Sequence, residues 1–584
     1  MNNSRNPLAF NPFWDLARDA RFPIAILLGL SLVSNLLMLT GSVFMLQVYD
    51  RVLASRSIPT LVALTLLVAV LYGFFALIEL LRSRMAIRFG GLIDEKLSVR
   101  LFTASIRQKL WPQAEVSSDP VRDMDSLRHF VSGTGPISLL DLPWMPIYLG
   151  LAFLLHPMIG LLATAGAVIV VVLLVVNEFH SRELSQQATS AQMVRDAWSH
   201  NARLNSESIS AMGMMGAVTA RWQRSASQLV IKQKNASDRA AFYSSMTKGF
   251  RLFLQSTVLA LGAYLVIQGQ MTGGFMIAAS ILTSRALAPV EQVVGHWRSF
   301  TAARQALTRI RKTLTHMNAS APSVQIPLPS RSLSLTNLSA GPSLTVGAMV
   351  NGVTLELAAG DGLGIVGLSG SGKSSVARAI VGVWPVLGGD VRLDGSELVH
   401  YDPERLGQTV GYMPQTVELF DGTISENISR FQGGDNSKAV LQAANAARIH
   451  DLIASMPEGY DTRIGASGSV LSAGQRQRIG LARALYGNPF LVVLDEPNSN
   501  LDGDGDAALT DAMHAARERG AIVIVVAHRP SAIVAVNKLL FMQDGRQTAF
   551  GLKDDVLNHI TRKPTLVETH RRNEGGEDRA AVNA

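Results

Sequence analysis

The 584-residue chain contains no cysteine, which excludes disulfides, thiolate metal sites and a cysteine nucleophile. Charge is scarce as well: Asp, Glu, Lys and Arg make up 17% of the residues, against about 25% in soluble domains. The deficit is concentrated between residues 22 and 300, where long apolar runs lie, and the remainder has the balance of an ordinary soluble α/β protein. The formal net charge is +8, but no basic stripe with interleaved aromatics accompanies it, so nucleic acid is not an expected partner. The cations crowd the segments between apolar runs, where membrane topology places them. Residues 1–21 carry charges but no small-residue cleavage pattern, and read as a cytoplasmic lead-in helix instead of a cleaved signal.

Six stretches are long and apolar enough to cross a lipid bilayer, near 23–46, 59–81, 136–155, 157–178, 248–268 and 272–294, since a spanning helix takes about 20 residues. His156-Pro157 separates the third from the fourth, and proline disfavours helix at the residue before it, so a tight hairpin is expected there. A second short turn, Gln268 to Gly274, joins the fifth to the sixth. The two long intervening segments, about 82–135 and 179–247, hold roughly eight or nine Lys/Arg each. That bias puts both segments and both termini in the cytoplasm, and their helix-forming composition predicts that the membrane helices continue beyond the bilayer. Arg285, Pro289 and Glu291 fall in the sixth span. Charge there either lines a water-filled path or snorkels to the interface. The domain of six spans is expected over 22–300.

A linker is expected over 301–330, a polar, basic helix followed by the proline- and serine-rich stretch Ser320 to Ser330, with an α/β domain over 331–560 and a disordered tail over 561–584. The α/β domain opens with an apolar strand ending Leu363-Gly364-Ile365-Val366, then Gly367-Leu368-Ser369-Gly370-Ser371-Gly372-Lys373-Ser374 and a helical pattern. This is a phosphate-binding loop in its strand-loop-helix setting. Its glycines let backbone N–H groups turn toward phosphate oxygens, and the helix start adds its positive end. Gly367, Ser369, Gly370, Ser371, Gly372, Lys373, Ser374 and Ser375 are therefore candidate contacts for ATP phosphates. Lys373 would supply a point charge to the β- and γ-phosphates and Ser374 a hydroxyl to Mg²⁺. A second strand, Leu491 to Leu494, ends in Asp495-Glu496. Asp495 is a candidate for the Mg²⁺ shell and Glu496 for activating the attacking water.

Between these elements lies Leu471-Ser472-Ala473-Gly474-Gln475, followed by Arg476-Gln477-Arg478. The first five residues resemble the L-S-G-G-Q signature of ATP-binding-cassette (ABC) proteins. The resemblance implies that Ser472, Gly474 and Gln475 serve the nucleotide of an opposite subunit, so that a homodimer sandwiches two ATPs. It also assigns Gln415 to the Q-loop that touches Mg²⁺ and the membrane domain, Ser499-Asn500-Leu501-Asp502 to the D-loop and His528 to the switch histidine. Two departures stand out. No Phe, Tyr or Trp occurs between Thr301 and Ile380, so the family's usual adenine-stacking platform is missing, and looser ATP binding is expected. Ala466 stands where exporters often carry a glutamate before the signature.

Asp141-Leu142-Pro143-Trp144-Met145-Pro146-Ile147-Tyr148 and Gly274 to Glu291 resemble the permease-ATPases of bacterial type I secretion systems, over roughly residues 20 to 560. The similarity is greatest to the branch that secretes alkaline proteases, lipases and glycine-rich-repeat proteins. The resemblance implies six transmembrane helices in the type I ABC exporter fold, joined to an α/β nucleotide-binding cassette. It further implies an ATPase in the bacterial inner membrane that exports an unfolded protein substrate, with a periplasmic membrane fusion protein and an outer-membrane channel as partners. The short amino-terminal segment leaves no room for the peptidase domain of bacteriocin-type exporters. An exporter of lipid, drug or peptide, and an ATP-gated regulator that moves nothing, are the alternatives.

Overall fold

The structure is a computed structural model and describes residues 12–110, 119–318, 326–343, 346–465, 468, 470–501 and 503–562. The expected tail from 563 onward, Ala466 and Asp502 lie outside the described residues. Two compact units divide the chain: Met1–Gln108 with Glu115–Ala319, and Lys109–Ala114 with Ser320–Ala584.

The first unit is all helical, and six of its helical segments are long and apolar enough to span a membrane, as the hydropathy runs predict. The lead-in helix does not stop before the first span: Pro12–Met38 is one helix with Pro23 inside it. Three helices far exceed a bilayer, Ile58–Leu110, Pro157–Leu204 and Met215–Ile267. At 53 residues the first is about 80 Å long, against a hydrocarbon core of about 30 Å. The hairpin at 156–157 forms as proline sterics require. His156 is extended (φ −163°, ψ 133°), Pro157 opens the next helix, and the His156 Nδ1 accepts from the Met158 N–H at 3.2 Å.

The third span is not one helix. Gly135–Asp141 and Met145–Leu155 are separated by a 3₁₀ turn, Leu142–Trp144, with Pro143 and Pro146 at the breaks. Pro289, by contrast, sits inside the continuous helix Gly273–Gly295. The charges of the sixth span do not share one fate. Glu291 pairs with Arg251 of the preceding helix at 2.6 Å, while Arg285 is exposed, its Nη1 3.9 Å from the Met38 sulfur.

The broken third span carries a buried polar knot. The Asp141 Oδ1 accepts from Ser31 Oγ at 2.5 Å, Asn35 Nδ2 at 2.9 Å and Arg82 Nη2 at 2.7 Å. Arg82 is 1% exposed, and its other terminal nitrogen reaches Glu79 at 2.6 Å and Ser34 at 3.2 Å. Trp144 donates to Ser31 Oγ, and Tyr148 to the Asn35 carbonyl at 2.8 Å. The Asp141–Tyr148 motif thus has a structural reason: one face of the broken third span ties spans one and two together.

The second unit is built on a ten-stranded sheet of order β5-β4-β1-β2-β10-β9-β3-β8-β7-β6. The strands are β1 Ser332–Ala340, β2 Val350–Ala358, β3 Gly362–Gly367, β4 Val386–Leu393, β5 Ser396–Glu397, β6 Val410–Met413, β7 Leu491–Asp495, β8 Ile522–Val526, β9 Lys538–Gln543 and β10 Arg546–Leu552. β1 pairs antiparallel with β2 and β4, whereas β9, β3, β8, β7 and β6 run parallel. Strands covered on both faces need continuous apolar runs, and β7 and β8 are buried at every residue. Each fully buried aliphatic side chain there contributes roughly 1.5–3 kcal/mol.

Candidate functional site

Four adjacent parallel strands, β3-β8-β7-β6, deliver the candidate residues at their carboxyl ends, the edge where α/β sheets hold ligands. β3 runs into the phosphate loop, β8 ends two residues before His528, β7 ends at Asp495, and β6 ends two residues before Gln415.

The loop conformation depends on glycine. Gly367 has φ 154° and a Cβ there would lie 2.2 Å from the Met542 carbonyl oxygen. Gly370 and Gly372 have φ 80° and 93°, in the region that L side chains avoid. Ser369 and Gly370 are exposed at the tip, while Ser371, Lys373 and Ser375 are buried. Lys373 opens the helix Lys373–Ile380 and folds back, its Nζ donating to the carbonyls of Gly367 at 3.0 Å and Leu368 at 2.8 Å. Burial pulls its pKa below the ordinary lysine value, against the opposing charges of Glu496 and Asp495. The ammonium therefore rests on two neutral carbonyls, partners that phosphate oxygens can replace with a stronger, charge-assisted bond.

Ser374 Oγ donates to Asp495 Oδ1 at 2.8 Å. Asp495 is 0% exposed, and its Oδ2 is buried without a hydrogen-bond partner among the described residues. Burial pushes this carboxyl above the usual range, more than the Ser374 bond and the Arg378 charge pull it down. An orphaned buried carboxylate oxygen costs at least 1–3 kcal/mol. Beside the Ser374 hydroxyl it is an open oxygen donor of the hard kind that suits Mg²⁺.

Glu496 adopts φ 50°. Its Oε2 accepts from Gln415 Nε2 at 2.9 Å, and its Oε1 lies 2.9 Å from His528 Nε2. Gln415, Glu496 and His528, 81 and 32 positions apart in sequence, thus stand in one row of polar contacts beside the Ser374–Asp495 pair.

The signature residues are arranged differently. Ser472 caps the helix Ala473–Leu485 in a reciprocal box: Ser472 Oγ accepts from the Gln475 N–H at 3.2 Å, and Gln475 Oε1 from the Ser472 N–H at 2.9 Å. A Cβ on Gly474 would stand 3.0 Å from the Asn500 carbonyl oxygen. No hydrogen bond among the described residues joins Ser472, Gly474 or Gln475 to the phosphate loop of the same chain. One residue without an expected role is drawn in. Gln477, 3% exposed, reaches from this helix to Pro497 and Asn500.

Comparison with known proteins agrees with this architecture. Residues 24–288 match the ABC transporter transmembrane region and residues 350–499 the ABC transporter domain. The chain is 47% identical over 555 residues to the type I secretion system ATP-binding protein PrsD of Rhizobium meliloti (strain 1021), covering 94% of this chain and 95% of that one. It is 28% identical over 540 residues to the leukotoxin translocation ATP-binding protein LktB of Mannheimia haemolytica, covering 91% of this chain and 75% of the relative. A solved bacterial Atm1-family ABC exporter with ATP bound shares the fold, with a TM-score of 0.78, 22% identity, and coverage of 92% of this chain and 96% of that one.

Proposed function

We propose a function from the premise that this chain belongs to the type I secretion ATP-binding proteins of the ABC transporter family. It is the ATP-hydrolysing half of a homodimeric inner-membrane exporter that drives an unfolded polypeptide out of the cell. The periplasmic fusion protein and the outer-membrane channel complete the path, and the cassette and both termini face the cytoplasm. The observation that carries the reading is the row Gln415–Glu496–His528 beside Ser374–Asp495 at four neighbouring strand ends.

The chemistry follows from that row. ATP enters with its phosphates over the loop, where Lys373 exchanges the Gly367 and Leu368 carbonyls for β- and γ-phosphate oxygens. Glu496 accepts a proton from a water positioned in line with the γ-phosphorus. The new P–O bond forms as the bond to the β–γ bridging oxygen breaks, and ADP carries away the electron pair. His528 donates to the γ-phosphate, while Gln415 holds the Glu496 carboxylate in line. Ser374, Asp495 and Gln415 would hold Mg²⁺, which when bound neutralises charge on the phosphate oxygens. The signature helix of the second subunit closes each pocket, so ATP shifts the dimer toward closure by its greater affinity for that state. Hydrolysis lets the cassettes part.

Co-expression with genes for a fusion protein, an outer-membrane channel and a repeat-rich secreted protein tests this reading. Secretion is expected with the wild type and absent with Lys373→Ala. Secretion that persisted without Lys373 would overturn it.

A further inference from the structure

Gln477 occupies a position that the hydrolytic residues do not explain. It lies one turn into the helix Ala473–Leu485 with 3% of its surface exposed. Its Nε2 donates to the Pro497 carbonyl and lies 3.4 Å from both the Glu496 carbonyl and Ser499 Oγ. Its Oε1 accepts from the Asn500 N–H at 3.0 Å. One side chain thereby grips the backbone loop that begins at Glu496, at both ends.

That loop needs gripping. Glu496 sits at φ 50°, a left-handed conformation that costs a non-glycine residue about 1–2 kcal/mol. Such strain persists only where the surroundings over-determine it. The loop's own backbone bonds are long: Glu496 N–H to Val526 at 3.2 Å and Ser499 N–H to Glu496 at 3.4 Å. The bond from the Asn500 N–H to Gln477 Oε1, at 3.0 Å, is shorter than either. Two positions earlier on the same helix, Gln475 closes the capping box with Ser472. A shift at this helix start therefore reaches the Glu496 backbone through less than one turn of rigid helix.

We infer that Gln477 is a positioning residue for hydrolysis: it fixes the Glu496 backbone so that the carboxylate stands between Gln415 and His528, and it makes that placement depend on the signature helix. The second half rests on the paired pockets proposed above. There, the signature of one chain holds the nucleotide of the other, so Gln477 lets occupancy of one pocket set the base in its neighbour.

The test uses the full-length protein in detergent or nanodiscs with Gln477→Met, which keeps the buried volume and removes both bonds, and Gln477→Glu, which keeps an acceptor for Asn500. Misplacing a catalytic group by about 1 Å costs on the order of 100-fold, and a kcat loss of that order is expected for Q477M. ATP affinity and thermal midpoint stay at wild-type values, and the Hill coefficient for ATP falls to 1. Q477E retains more kcat than Q477M and carries the test if Q477M does not fold. Wild-type kcat in these variants overturns the positioning role, as does a parallel fall of kcat, affinity and thermal midpoint. An unchanged Hill coefficient beside a lowered kcat overturns the coupling alone. ATP-dependent dimerisation of Glu496→Gln, measured by sedimentation, decides the paired-pocket reading separately.

Discussion

The Glu496 carboxylate lies 2.9 Å from His528 Nε2 on one oxygen and accepts from Gln415 Nε2, also at 2.9 Å, on the other. The Gln415 amide nitrogen can only donate, so it holds the carboxylate from one side while the His528 ring stands against the other. Glu496→Gln keeps the shape and removes the base. Its kcat is expected to fall by about 10²–10⁴ while ATP still binds, and steady-state hydrolysis beside nucleotide binding checks both halves. Near-normal turnover would remove Glu496 from the role of base.

Asp495 offers a buried oxygen with no partner. Asp495→Asn replaces that charge by a neutral amide, which lowers affinity for a divalent cation but leaves Lys373 and the loop intact. The expected outcome is a raised Mg²⁺ concentration for half-maximal ATPase, with ATP binding in EDTA unchanged. Titration of Mg²⁺ at fixed ATP measures it.

Two loop glycines separate conformational from steric cost. Alanine at Gly370 meets nothing within 4 Å, and carries only the left-handed penalty of about 1–2 kcal/mol. Alanine at Gly367 would place Cβ 2.2 Å from the Met542 carbonyl, so β3 or β9 must move. Gly367→Ala is expected to lower the nucleotide-free thermal midpoint more than Gly370→Ala does, and equal midpoints would contradict the steric account.

Acid sensitivity of the cassette has a source in Asp361. Burial alone would raise its pKa, but bonds from Lys538, Asn537 and the Ala358 N–H, with the Lys538 charge, hold it below the ordinary 3.8. A carboxyl depressed in the folded state contributes stability that is complete above its unfolded pKa and lost as pH falls through the folded value. Asp361→Asn should therefore lower stability at neutral pH and flatten the acid limb below about pH 4. Thermal midpoints of the full-length protein against pH measure it.

The membrane knot allows a double-mutant test. Arg82→Met leaves the Asp141 charge buried, which costs about 3–5 kcal/mol. Arg82→Met with Asp141→Leu removes both charges, and the double variant is expected to be more stable than either single one. Additive losses in detergent unfolding would show that the pair is not coupled.

The sequence announced some of these features and concealed others for a physical reason. Phosphate contact by backbone needs glycine at fixed spacing, so residues 367–375 are readable as they stand. Asp495 and Glu496 follow four apolar residues at a strand end, a local pattern too. Gln415 and His528 carry no such pattern, and only the order of the family's motifs singled them out. The knot pairs residues 59, 106 and 110 positions apart, and such pairings leave no periodic trace. Gln477 looked like one more polar residue on a basic helix. Its burial depends on how the loop 496–500 folds over it, which spacing cannot reveal.

The knot also bears on how the chain is made. Arg82 follows directly on the second span, and its partner Asp141 comes 59 residues later, on the third. A cation at the membrane edge can reach interfacial water, and Glu79, one turn earlier on the same helix, pairs with it as soon as that helix forms. What must wait is the packing: the first two spans enter lipid as they are made, and the knot that joins them closes only when the Asp141 carboxylate arrives. A nascent chain arrested between residues 110 and 130 should leave Arg82 open to arginine-selective labelling, and one arrested at residue 204, the end of the fourth spanning helix, should protect it.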